Sequence, residues 1–185
     1  AEPITKDLNP SHGPIQKLYA RNTDTLAFCE DKVLRLLTNK DALYNADGNT
    51  NVTASNAVIG QATPIQGDYG ISDNPESFAA SPTGIFWCDQ MRGQVLKLEG
   101  GTTIRVISDV GMKDYFNDKL KDVNDIIGTW DEKKKEYNIS MGYVTVPTQS
   151  FSTGPRKEDS ETNGGGILFS PKETLSWNDS TKGWV

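Results

Sequence analysis

Apolar residues along this chain come in short runs, and Gly, Pro, Asn and Asp collect between them. That layout predicts many short β-strands joined by turns. Thr25–Cys29 reads as a strand, Glu30–Lys32 as its polar tip and Val33–Leu36 as the returning partner. Gly84–Cys88, the tip Asp89–Gly93 and Gln94–Leu98 make a second hairpin. Gly100-Gly101 then turns the chain into an alternating, half-exposed strand at Thr103–Ile107. Ile126–Trp130 and Glu136–Met141, with Asp131–Lys135 between them, make a third hairpin. Tyr143–Val146 is strand-like up to Pro147, and Gly166–Phe169 is a short strand. Glu173–Trp177 begins a fourth hairpin, with its tip at Asn178–Lys182 and a return that reaches only Gly183–Val185. One segment has helical spacing instead. Met112, Tyr115, Phe116, Lys119 and Leu120 share a face, which predicts a helix over about 112–121 capped by Ser108 or Asp109.

Residues 1–20 read as an extended lead-in broken by Pro3, Pro10 and Pro14. Residues 39–67 show little periodicity and read as an insertion with a turn at Asp47–Asn51, and 68–81 as a compact polar connector. Residues 148–166 read as a long, mobile polar loop ending in glycines.

The hairpins resemble one another in pairs. Phe28-Cys29-Glu30 before Val33-Leu34-Arg35-Leu36 matches Trp87-Cys88-Asp89 before Val95-Leu96-Lys97-Leu98. Trp130-Asp131-Glu132 leading to Lys135 and Tyr137 matches Trp177-Asn178-Asp179 leading to Lys182 and Trp184. Taken as one repeat per four-stranded blade, with the longer first step carrying the 39–67 insertion, this spacing predicts an all-β fold. The expected architecture is a propeller-like array of hairpin and blade repeats over residues 21–185, with one short helix between blades. A β-sandwich or other all-β fold, and a mixed α+β fold, are the competing architectures.

Charge and chemistry narrow the function. The net charge of -6 lacks the basic stripe that nucleic-acid binding needs, and acidic neighbours flank the one cationic run, Lys133–Lys135. No run of apolar residues is long enough to span a bilayer as a helix, and no leader pattern opens the chain. His12 is the single histidine and lies in the Pro-rich lead-in, so a Ser or Cys nucleophile lacks an imidazole base and a zinc site would need carboxylates to complete it. The segment Asp47–Asn51 departs from a calcium loop, with Val52 where glycine is required and Val58 where the closing acid belongs. Gly164–Gly166 lacks the Lys-Ser or Lys-Thr of a phosphate-binding loop. Cys29 and Cys88, at matching repeat positions, read as small buried apolar residues. The acidic residues sit at turn tips and read as solvated. The expectation is a chain with no catalytic residues, no metal and no cofactor. The sequons at Asn51, Asn138 and Asn178 are not read as glycosylated.

Three motifs occur in order: Asn74-Pro75-Glu76-Ser77-Phe78, then Asp89, Arg92, Gly93 and Val95–Leu98, then Gly111, Met112, Asp114, Tyr115 and Phe116. This set resembles the large virion proteins of crAss-like and related short-tailed bacteriophages. There an NPESF connector precedes a D-x-x-R-G-x-V-L-[KR]-L hairpin and a GM-x-DYF helix. The resemblance covers residues 68–116 firmly and 25–36 and 126–185 loosely, with the closing TLSWNDSTKGWV resembling a further blade hairpin. It implies a tail component of the muzzle or nozzle type, a homo-oligomeric ring around the DNA ejection channel. The implied partners are other tail and neck proteins, without a membrane, in a virion assembled in the host cytoplasm. Because family members are longer and the chain stops at Val185 on a returning strand, a fragment of a longer chain is expected. The alternative is a soluble β-propeller that binds a partner or processes a glycan.

Overall fold

A computed structural model describes residues 5–44, 50–145 and 168–185, with side chains described outside 39–58 and 143–172. Within it the chain is mostly strand, with one short α-helix and isolated single turns of 3-10 helix. The strands form three four-stranded antiparallel sheets, each an unbroken meander in chain order. The first holds β1 (Ile15–Ala20), β2 (Asp24–Cys29), β3 (Val33–Tyr44) and β4 (Thr50–Pro64). The second holds β5 (Ala79–Ser81), β6 (Gly84–Asp89), β7 (Gln94–Glu99) and β8 (Thr103–Val106). The third holds β9 (Asp125–Asp131), β10 (Glu136–Thr145), β11 (Leu168–Asn178) and β12 (Gly183–Trp184). None of these sheets closes into a barrel.

The second sheet lies between the other two, and its sequence shows why. Successive side chains of a strand point to opposite faces. In β6, Ile85 and Trp87 pack with Leu26, Phe28 and Val33 of the first sheet. Phe86 and Cys88 pack with Ile126, Tyr137 and Ile139 of the third. A strand covered on both faces loses its polar alternation, which is why Ile85–Asp89 is buried throughout. Aromatic rings fill both layers. Phe28 sits edge-on to Trp87 with centroids 5.2 Å apart, and Phe86 stacks on Tyr137 at 5.0 Å and on Trp130 at 5.5 Å.

The outer sheets end the stack differently. The outward face of the first is apolar, with Ala27, Cys29 and Leu34 buried and Leu8 packed over them. The outward face of the third is polar. There Asn178 Nδ2 donates to Glu136 (3.1 Å), Ser176 Oγ donates to Asn138 (2.6 Å), and Ser140 and Thr174 share a hydrogen bond (2.9 Å).

All four expected hairpins form, and the helix does too. The helix, α1 (Lys113–Lys119), is followed by a 3-10 turn at Leu120–Asp122, and it buries Phe116 and Leu120 against the second and third sheets. Its cap differs from the expectation. Met112 is the N-cap without a side-chain bond, while Ser108 Oγ accepts from Val95 N.

Three readings are corrected. The lead-in is not featureless, since Ile15–Ala20 pairs along β2 as the first strand of the first sheet. The 39–67 insertion is largely a long two-stranded ribbon, with β3 and β4 paired out to Tyr44 and Thr50. A ribbon whose sequence is polar in both registers gives no alternation to read. The turn at Asp47–Asn51 falls mostly, and the 148–166 loop entirely, outside the described residues. The third and fourth hairpins are not successive blades. Glu136–Thr145 pairs with β9 on one side and β11 on the other, so both hairpins belong to one sheet.

Their likeness comes from turn chemistry. Asp131 Oδ1 accepts from Lys133 N and Lys134 N, and Asn178 Oδ1 from Ser180 N and Thr181 N. Each turn then closes on a left-handed lysine, Lys135 at φ 58° and Lys182 at φ 55°. Asp89 and Gly93 (φ 65°) build the same five-residue turn in the second sheet. An Asx side chain that bonds the following amides, plus one left-handed residue, is a general way to reverse a hairpin.

Candidate functional site at the sheet joints

The polar groups that the fold buries collect at the two ends of each sheet-to-sheet joint, so these joints are the candidate site. At the connector end of the first joint, residues 65–78 run across from the first sheet to the second. Ile71 N donates to Cys29 O (3.1 Å) and Ser72 N to Glu30 O (3.0 Å). A Cβ on Gly70 would lie 1.9 Å from Glu30 O, so only glycine permits this approach. Asp89 is wholly buried and fully used. Its carboxylate accepts from Gly70 N (3.0 Å), Ser72 Oγ (3.1 Å), Arg92 N (3.1 Å) and Arg92 Nη1 (2.9 Å). Arg92 also reaches Asp31 in the first sheet's tip at 3.3 Å.

At the connector end of the second joint, Tyr137 Oη donates to Ser77 O (2.6 Å) and Ser77 Oγ accepts from Cys88 N (3.1 Å). Gly128 lets β9 pass under that turn, because a Cβ there would lie 2.0 Å from Ser77 O. Gln90 Nε2 donates to Leu120 O and Val123 O at 2.9 and 2.7 Å, tying the helix to the second sheet.

The opposite, turn end of the second joint holds a buried charge network. Lys97 Nζ sits 2.7 Å from Asp179 and 3.2 Å from Glu99. Asp179 also accepts from Lys182 Nζ and Thr83 Oγ1, both at 2.8 Å. Burial pushes the Asp179 carboxyl up, but its bonds to Lys182, Lys97 and Thr83 outweigh this and hold it well below the usual carboxylate range. The turn end of the first joint holds a third buried carboxylate, Asp24. Arg21 grips Asp24 bidentately at 2.6 and 2.8 Å, Arg35 Nε bonds it as well, and Arg21 Nη1 reaches Gly101 O at 2.9 Å. Here too burial raises the carboxyl, and the two arginines more than reverse it.

An open cleft of about 470 Å³ runs between the first and second sheets at this end, lined by Tyr19, Arg21, Ser81, Thr83, Ile85 and Gly101 among others. No group of three or more His, Cys, Asp or Glu residues able to hold a metal ion occurs among the described residues.

Two of the tip acids, Asp89 and Asp179, are buried and not solvated as expected, whereas Asp31 and Glu132 face solvent. Sequence gave no warning, because a turn acid facing water and one folded under a neighbouring sheet look alike. Lys97, likewise buried, reads from the sequence as the basic position of a repeat and a motif, with nothing to name its partner. Cys29 and Cys88 are buried free thiols, as read. Burial raises both, and for Cys88 the Asp89 charge adds to it. A scan against protein-family models matches none, and a search of curated proteins finds no match.

Proposed function

We propose that this chain is a structural component of a bacteriophage tail, of the muzzle or nozzle type. In this reading its four-stranded sheets are blades of a propeller-like array, and copies of the protein form a ring around the DNA ejection channel. The observation that carries the proposal is where the motif residues go. Asn74, Ser77 and Phe78, then Asp89, Arg92, Gly93 and Lys97, then Met112 and Phe116 all lie in the joints that bind the middle sheet to its neighbours. Residues spent on joining sheets suit a part that bears load rather than one that turns over a substrate. The net charge of -6 suits a conduit wall that lets phosphate backbones slide past.

The test is the native mass of the protein from its source, by mass photometry, together with mass spectrometry of purified virions. The expected result is an assembly many times 20.3 kDa whose peptides occur in the particle. A stable monomer absent from virions would sink the proposal and turn attention to binding or glycan processing.

A further inference from the structure

The repeat that relates the first two sheets also relates their joints, and the comparison exposes a missing anion. Val33-Leu34-Arg35-Leu36 and Val95-Leu96-Lys97-Leu98 occupy the third strands of the first and second sheets. Val33 faces the second sheet as Val95 faces the third, while Leu34 and Leu96 face the other way. Arg35 therefore stands to the second sheet as Lys97 stands to the third. Lys97 meets Asp179, the first residue of the β11–β12 turn, at 2.7 Å. The corresponding β7–β8 turn begins with Gly100 and Gly101 and supplies no acid.

Arg35 leans back instead on Asp24, which Arg21 already holds through two hydrogen bonds. Among the described side chains, two guanidinium groups thus share one carboxylate, a local excess of one positive charge. Nη1 and Nη2 of Arg35 make no hydrogen bond to a described residue. The side chain is 38% exposed and borders an open cleft of about 400 Å³, lined also by Asn22, Thr23, Gly100 and Thr102. A planar guanidinium with N–H groups that no described residue engages is matched to a carboxylate.

We propose that this cleft is a carboxylate-binding site, in which Arg35, backed by Arg21, takes the carboxylate group of a ligand. The site stands on the geometry of the joint and not on the tail reading.

The probe is acetate, followed by thermal melting of the whole chain against chloride at equal ionic strength. The expected result is a saturable rise in Tm with acetate that weakens about ten-fold in Arg35→Gln. Equal effects of acetate and chloride, or an unchanged response in Arg35→Gln, would overturn the site. A second arm fills it from within. A Cβ on Gly100 meets nothing within 4 Å, and its φ of +58° strains Asp and Asn alike. Gly100→Asp should melt above Gly100→Asn and lose its response to acetate, and the reverse order would refute the assignment. Sedimentation then distinguishes the source of the carboxylate. Self-association that Arg35→Gln abolishes identifies a second copy of this chain as the source, and a monomer that binds acetate assigns the carboxylate to a separate molecule.

Discussion

Replacing Lys97 by Met isolates the charge network that locks the second sheet to the third. Met keeps the apolar stem and removes the ammonium. The Lys97 side chain is 3% exposed and that of Asp179 6%, so the pair is dry. Removing one partner of a buried ion pair costs about 3–5 kcal/mol, because the other charge stays buried without it. Here Lys182 and Thr83 still bond Asp179, and Glu99 is freed towards water, so the cost falls to the bottom of that range or just below it. The expected loss is about 2–3 kcal/mol, or about 5–10 °C in Tm for a chain of this length. Urea unfolding followed by tryptophan fluorescence reads it, since Trp177 lies beside the network. Asp179→Asn in the same background should cost much less than it does alone, with a coupling of about 1 kcal/mol or more. A loss below about 0.5 kcal/mol, with additive single substitutions, would show a network screened by solvent and a joint held by apolar packing alone.

Three further outcomes follow from the joints. Gly128→Ala would drive a Cβ into Ser77 O and the Tyr137 hydroxyl, so it should destabilise by about 3 kcal/mol or more in the same urea assay, far beyond an ordinary glycine-to-alanine change. Asp24 and Asp179 are held below their unfolded values, so they add stability above about pH 4 that is lost as pH falls towards their folded values. Melting should show this acid loss, and Asp179→Asn should reduce it. The Cys88 thiol is buried and raised, so a thiol reagent at neutral pH should modify it only at the rate of unfolding, and fast labelling of the native chain would contradict the packing.

The hairpins were legible because each pairs apolar runs across a turn with a local signature, and the helix because Phe116 and Leu120 keep helical spacing. The grouping of hairpins into sheets was not. Asp131 with Lys135 and Asn178 with Lys182 repeat because both turns solve the same backbone problem, one at each end of a single sheet's four strands. The repeat that does report sheet order is Val-Leu-basic-Leu, since it encodes facing as well as turning. Val33 and Val95 point forward along the stack, Leu34 and Leu96 back.

The same distinction explains why the pairings within the candidate site were not legible, although motif residues such as Asp89, Arg92 and Lys97 stand out in the sequence. Asp24, Asp89 and Asp179 are polar letters at strand ends, where an exposed acid is the ordinary expectation, and their partners Arg35, Gly70 and Lys97 lie in other segments. Asp24 meets Arg35 on the neighbouring strand of its own sheet, but Gly70 reaches Asp89 from the connector and Lys97 reaches Asp179 from another sheet, and that stacking depends on which face each strand presents. Once facing is known, the sequence becomes informative again. Arg35 and Lys97 occupy one repeat position, Gly100 and Asp179 another, and the one pair that lacks its carboxylate borders an open cleft. A departure from a repeat is informative when the partner position is fixed by the fold, because the unmatched charge then has a place as well as a sign.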